Sequence, residues 1–145
     1  MSSPARFVVV PSVGRRLRTA EKGLLAAEIL VVYVKARWRL RRTTLPETLR
    51  ALRRPGVPPP RALPPAAGVR LGRAVVRTLE PLPTDSRCLM RSLVLVRLLA
   101  RRGVQVRLVL GVAHVDRFEA HAWVEQGDTP LLAAGGDRFG RLAEL

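Results

Sequence analysis

Cysteine is nearly absent from this 145-residue chain: Cys88 stands alone, so no disulfide can close within it. Histidine occurs twice, at His114 and His121. One cysteine and two histidines cannot build a zinc site of the usual Cys/His spacing, so no metal is expected. Aromatic residues make up 4% of the chain, which leaves its core to Leu, Val and Ala and supplies few platforms for stacking bases. Long apolar runs are missing too. The segment Leu24 to Val34 is interrupted by Glu28 and is too short to span a bilayer. Phe7-Val8-Val9-Val10 is too short for a signal peptide and is cut by Pro11. These absences make the cytoplasm the expected location. Gly135-Gly136 is the nearest approach to a phosphate-cradling loop and is too little for one, so no nucleotide or other cofactor is expected.

What is abundant is arginine. Lysine and arginine number 26 against 11 acidic residues, for a formal net charge of +15. Such a field attracts phosphate. Without aromatic interleaving, however, a solvated basic surface accounts for it better than specific nucleic-acid recognition, and it suits an acidic peptide or protein partner equally well. With 48% hydrophobic residues the length fits one domain with its own core.

Composition divides the chain into an N-terminal basic helical segment (1–54), a Pro-rich connector (55–67) and an α+β core (68–145), all as one compact unit. Residues 1–14 read as irregular, with a short strand over Phe7 to Val10. Leu17, Leu24, Ile29, Val31, Val32 and Trp38 give the first helical stretch a broad apolar face. Thr43 or Thr44 suits the cap of a second helix, with Pro46 in its first turn and Glu47 near its third position. The prolines of 55–67 require extended or turning backbone, and a third helix is expected from Val69 to Leu79, before Pro81 and Pro83. Thr84-Asp85-Ser86 offers cap chemistry for a strongly apolar helix from Arg87 to Arg102, which Gly103 ends. Val104, Val106, Leu108, Leu110 and Val112 alternate as a strand with one buried face. A second strand is expected over Ala120 to Gln126, a turn at Gly127-Asp128, and a third strand over Thr129 to Ala134.

The chemistry converges on the start of the apolar helix. Cys88 falls in the first turn, where unpaired amides and the helix dipole favour an anion, and Arg87 and Arg91 act in the same direction. The same amides can hold an oxyanion that develops on an attacked carbonyl. The competing reading is a structural thiol packed under the helix. His121, on the strand Ala-His-Ala-Trp-Val-Glu, has small neighbours and a sheet to aim it, whereas His114 follows the preceding strand in a loop. His121, Trp123 and Glu125 share one face of that strand. A third group should orient the imidazole. Across a two-residue turn His121 faces Ala134, and neither Ala133 nor Ala134 has a side-chain acceptor. Asp137, just beyond, is the nearest suitable carboxylate. Asp128 reads as a turn residue, and Glu125 is displaced along the strand.

The stretch CLMRSLVLVRLLARRGVQVRLVLGV followed by FEAHAWVE is similar to the leader peptidases of lasso-peptide biosynthesis, members of the transglutaminase-like superfamily. The match is strongest over Cys88 to Glu125, in the Cys-Leu-x-Arg-Ser-Leu start, the Arg-Arg-Gly helix end and the His-Ala-Trp-Val-Glu strand. The resemblance implies a transglutaminase-like core with the cysteine at a helix N-terminus packed on a small antiparallel sheet. It implies a cysteine protease that removes the leader from a ribosomally made precursor peptide, with Cys88 as nucleophile and His121 as general base. The family's aspartate usually falls on the strand after the histidine, where this chain has Ala133 and Ala134, which leaves Asp137 as its substitute. The implied partners are the precursor peptide, a small leader-recognition protein and an ATP-using cyclase resembling asparagine synthetase. The same residues would also serve another transglutaminase-like acyltransferase, or a degenerate, non-catalytic peptide-binding module.

Overall fold

In the computed structural model, residues 19–56, 62–83, 86–114 and 116–145 are described. Phe7 to Val10, Leu17, Thr84 and Asp85, on which several expectations rested, lie outside them. Among the described residues four helices precede a four-stranded antiparallel sheet: α1 (Thr19–Leu40), α2 (Leu45–Leu52), α3 (Pro65–Leu79), α4 (Arg87–Arg101), β1 (Arg107–His114), β2 (Phe118–Gln126), β3 (Thr129–Pro130) and β4 (Gly140–Glu144). The expected α+β class and helices-then-sheet order are therefore what the chain adopts.

The helix starts follow from local chemistry. Thr44 precedes α2 in an extended conformation, and its backbone amide and Oγ1 each donate to the Glu47 carboxylate at 2.9 Å, with Pro46 in the first turn. Helix α3 begins at Pro65, four residues before the expected Val69, because a proline in the first turn has its φ preset and forfeits an amide that would be unpaired anyway. The expected connector is shortened accordingly. Helix α4 ends as expected at Gly103. That glycine takes φ 72°, its amide bonds Ala100 O at 3.0 Å, and Val104 N reaches back to Leu99 O at 2.9 Å.

Helix α4 is the axis of the molecule. Leu93, Val94, Leu95, Leu98 and Leu99 have no exposed surface, and α1, α2, α3 and β2 all pack around them. One apolar core joins Ile29, Val32 and Tyr33 of α1, Leu49 and Leu52 of α2, Val75 and Leu79 of α3, Leu108 of β1 and Val124 of β2. The broad apolar face expected on α1 is split: Ile29 and Val32 are buried, whereas Leu24, Val31 and Trp38 are exposed. No helix among the described residues is long and apolar enough to cross a membrane.

The sheet order is β3-β2-β1-β4. The β1–β2 hairpin sets Gly111 opposite His121 and Val109 opposite Trp123. Two strand expectations are corrected. β1 has two covered faces rather than one, with Leu108 and Val109 both fully buried: Leu108 packs into the core with the helices, and the Trp123 and Phe139 side chains close over Gly111 on the other side. The strand after the Gly127-Asp128 turn pairs only through Thr129–Pro130, with one further bond from Leu131 N to Val124 O at 2.8 Å. Pro130 carries no amide proton and the ladder stops, so Ala133 and Ala134 leave it. The strand that flanks β1 instead is β4, which the sequence pattern did not announce.

Candidate active site

Cys88 sits at the second position of α4, half-buried against the helical core. Ser86 occupies the cap position, but its φ of −115° and ψ of 53° are not the extended cap conformation, and its side chain makes no cap hydrogen bond. Of the three expected cap candidates Ser86 thus makes no cap bond, and Thr84 and Asp85 lie outside the described residues. Among the described residues, the amides of the first turn receive no bond from the Ser86 hydroxyl. Arg87 and Arg91, expected to add positive potential, both ion-pair with Glu80 just after α3, Arg91 by a direct hydrogen bond. Two cations thus share one carboxylate, which reduces but does not cancel the local positive charge. One turn further along α4, Ser92 is fully buried and its Oγ has no hydrogen-bond partner among the described residues.

His121 is half-buried near the start of β2. Alternation along the strand turns it, with Trp123 and Glu125, away from Ala122 and Val124, which pack into the core shared with α4. Its ring lies 5.9 Å from Trp123, nearly parallel, and 5.2 Å from Phe139. Gly135, at φ 75°, lets the backbone after β3 close over the ring: a Cβ there would come within 3.2 Å of the imidazole and 2.5 Å of Phe139. The orienting group is the main-chain carbonyl of Ala133, 2.7 Å from Nε2. A carbonyl only accepts, so Nε2 carries the proton in the neutral ring and Nδ1 keeps its lone pair as the free base.

Asp137 is exposed and makes no hydrogen bond or ion pair among the described residues, so the imidazole is oriented without it. His114 closes β1, exposed, with its ring tilted against Phe118 at a centroid distance of 5.2 Å, rather than lying in a loop. Asp128 is a fully exposed turn residue, as expected. Cys88 and His121 lie on elements that pack together, α4 and β2: Gly103 ends α4, β1 follows, and β2 starts beside the end of β1. No hydrogen bond links the two side chains. In unliganded enzymes such contacts commonly tighten only around bound substrate.

Behind His121 the face is held by charge. Glu125 is 4% exposed and accepts from Trp123 Nε1 at 2.8 Å and from both Arg141 guanidinium nitrogens at 2.8 and 3.2 Å, with Arg107 at 3.4 Å. Burial pushes this carboxyl up. The Trp123 and Arg141 hydrogen bonds, together with the charges of Arg141 and Arg107, more than offset it and hold the group below the ordinary carboxylate value. Glu125 thereby fixes the indole that stacks on His121. Sequence reasoning saw the shared face but not this role, and it missed Glu80, Phe139 and the Ala133 carbonyl. A carbonyl has no residue-type signal to find.

Among the described residues no group of three or more His, Cys, Asp or Glu side chains is arranged to hold a metal. A family model described as the transglutaminase-like superfamily matches residues 30–144. No curated protein and no solved structure matches the chain.

Proposed function

The chain belongs to the transglutaminase-like superfamily, and on that premise we propose that it is a cysteine peptidase that removes the leader from a ribosomally made lasso precursor peptide. The observation that carries the reading is a single thiol in the first turn of a helix, in a fold that also holds a histidine whose Nε2 is engaged by a main-chain carbonyl, leaving Nδ1 as the base. The lasso assignment is supported by the similarity of Cys88 to Glu125 to the leader peptidases. It brings with it a leader-recognition protein, an asparagine-synthetase-like cyclase and a cytoplasmic workplace.

In this mechanism His121 Nδ1 takes the Cys88 proton while Nε2 stays on the Ala133 carbonyl. The thiolate attacks the carbonyl carbon at the leader–core junction, and first-turn amides of α4 hold the resulting oxyanion. His121 then returns the proton to the leaving amine, the C–N bond breaks, and a thioester remains on Cys88. Water, activated by the same imidazole, releases the leader carboxylate and restores the thiol. Ala133 stands where the superfamily's orienting aspartate is expected, and Asp137 is left for contact with substrate or partner.

Cys88→Ala is expected to abolish cleavage of the cognate precursor while its far-UV circular dichroism matches the wild type. A Cys88→Ala protein that still cuts overturns the reading. Mass spectrometry of the products separates hydrolysis from acyl transfer: a free leader carboxylate supports the peptidase, and an amide with an added amine assigns an acyltransferase instead.

A further inference from the structure

Between the first turns of α1 and the length of α3 lies an open groove of about 1060 Å³. Its floor is apolar, formed by Leu25, Leu63, Leu71 and Ala74, and Leu24, 73% exposed, stands at its lip. Along the α3 side run Arg70, Arg73 and Arg77, spaced by three and then four residues so that they line one face of the helix. All three are exposed. The other arginine in the wall, Arg102, is already bonded to Glu28 at 2.9 Å. Glu21 and Lys22 stand on the α1 wall, so the strongly basic edge of the apolar trough is the α3 side, with its row of exposed guanidinium groups. It is complementary to an amphipathic segment with carboxylates on one side and aliphatic side chains on the other.

The direction of the groove supplies a second argument. It follows α3 toward that helix's C-terminus, where Arg77 and Thr78 end its lining. Glu80, within one turn of them, ion-pairs with Arg87 and Arg91, which bracket Cys88 in sequence. A chain lying along α3 is therefore led to the start of α4.

We propose that this groove is an exosite for the peptide substrate, taking an acidic, Leu/Ile/Val-bearing stretch of it through Arg70, Arg73 and Arg77 and the Leu71–Ala74 floor. The proposal rests on the peptidase reading for the identity of its occupant, so its test reads binding and not turnover. The probes are two short fluorescein-labelled peptides, one with Leu and Glu at helical spacing and one with every Glu replaced by Gln, measured by fluorescence anisotropy on the full chain carrying Cys88→Ala.

The Glu peptide is expected to bind, and the Gln peptide to bind at least about tenfold more weakly. Reversing Arg70, Arg73 and Arg77 to Glu is expected to weaken the Glu peptide by a further tenfold or so. Ala74→Trp, which fills the trough without changing charge, should weaken both peptides. Reversing Arg39, Arg41 and Arg50, exposed residues outside the groove, changes net charge equally and should have a small effect. Equal losses from both charge reversals would show only the long-range field of a +15 chain and overturn the exosite. Self-association lost with Ala74→Trp would give the groove to a second copy of the chain and overturn it too. Groove-dependent binding with no cleavage by the wild type would sink the peptidase and leave the groove standing. Cleavage that is indifferent to the groove variants would do the reverse.

Discussion

At the scale of single residues, the unusual feature is a carboxylate buried on the face that carries the histidine. Glu125 is held below the usual carboxylate value by Trp123, Arg141 and Arg107, and the consequence for stability has a definite sign. A group whose folded value is depressed stabilises the fold above its unfolded value of about 4.5 and loses that contribution as pH falls through the folded value. Glu125→Gln keeps an acceptor for the indole but removes the charge. Since both arginines are about half exposed, screening limits the loss, which is expected to be about 1–2 kcal/mol at neutral pH. Urea unfolding should show wild type and variant separated at pH 7 and converging below about pH 4.5. A separation independent of pH would mean that the charge of Glu125 does not stabilise the fold. The row His121, Trp123, Glu125 was legible from the two-residue period alone. What the row does was not, because Arg141 approaches from β4, sixteen residues further along the chain.

At the scale of elements, the β1–β2 hairpin works because β1 has no side chain opposite the histidine. Gly111 pairs with His121, and a Cβ at Gly111 would sit 2.8 Å from the Trp123 ring and 3.1 Å from Phe139 Cβ. Both are neighbours of the imidazole. Gly111→Ala is therefore expected to cost about 1–3 kcal/mol through overpacking. It should also lower kcat for the proposed cleavage more than it raises KM, because the displaced indole and phenyl ring set the angle of the imidazole. Thermal melting and steady-state kinetics on the same preparation check both halves; a destabilised variant with unchanged kcat would separate the glycine from the site. Helix α4, its stop at Gly103 and the Gly127-Asp128 turn could be read in advance because each is written in local residue types. The run after Pro130 could not be read this way. Leu131 and Leu132 look like strand, but the missing proline amide and the positive φ of Gly135 and Gly136 turn the chain over His121. That detour puts a main-chain carbonyl where a carboxylate was expected.

At the scale of the whole molecule, the basic N-terminal helices are part of the fold that carries the site. Residues 1–54 and the remainder differ in composition, which invites a view of a catalytic core with an accessory segment in front of it. The packing gives those helices a larger part: Ile29, Val32, Leu49 and Leu52 are each less than 5% exposed and close the sides of α4 that the sheet leaves open. The superfamily match likewise begins at residue 30, inside α1. Burying four such side chains contributes about 6–12 kcal/mol, comparable with the whole stability of about 5–15 kcal/mol that a domain this size retains. A chain reduced to residues 55–145 should therefore expose α4 and fail to fold cooperatively. Its far-UV spectrum would lose helix, its thermal transition would broaden or vanish, and Cys88 would label as fast as in urea. The intact chain, in contrast, should lose helical signal, tryptophan environment and Cys88 protection in one coincident transition, since helices and sheet share a single core. A sharp melt of the shortened chain at the wild-type temperature would show that the helical segment is an accessory after all. The groove along α3 would then have lost its α1 wall without cost to the fold.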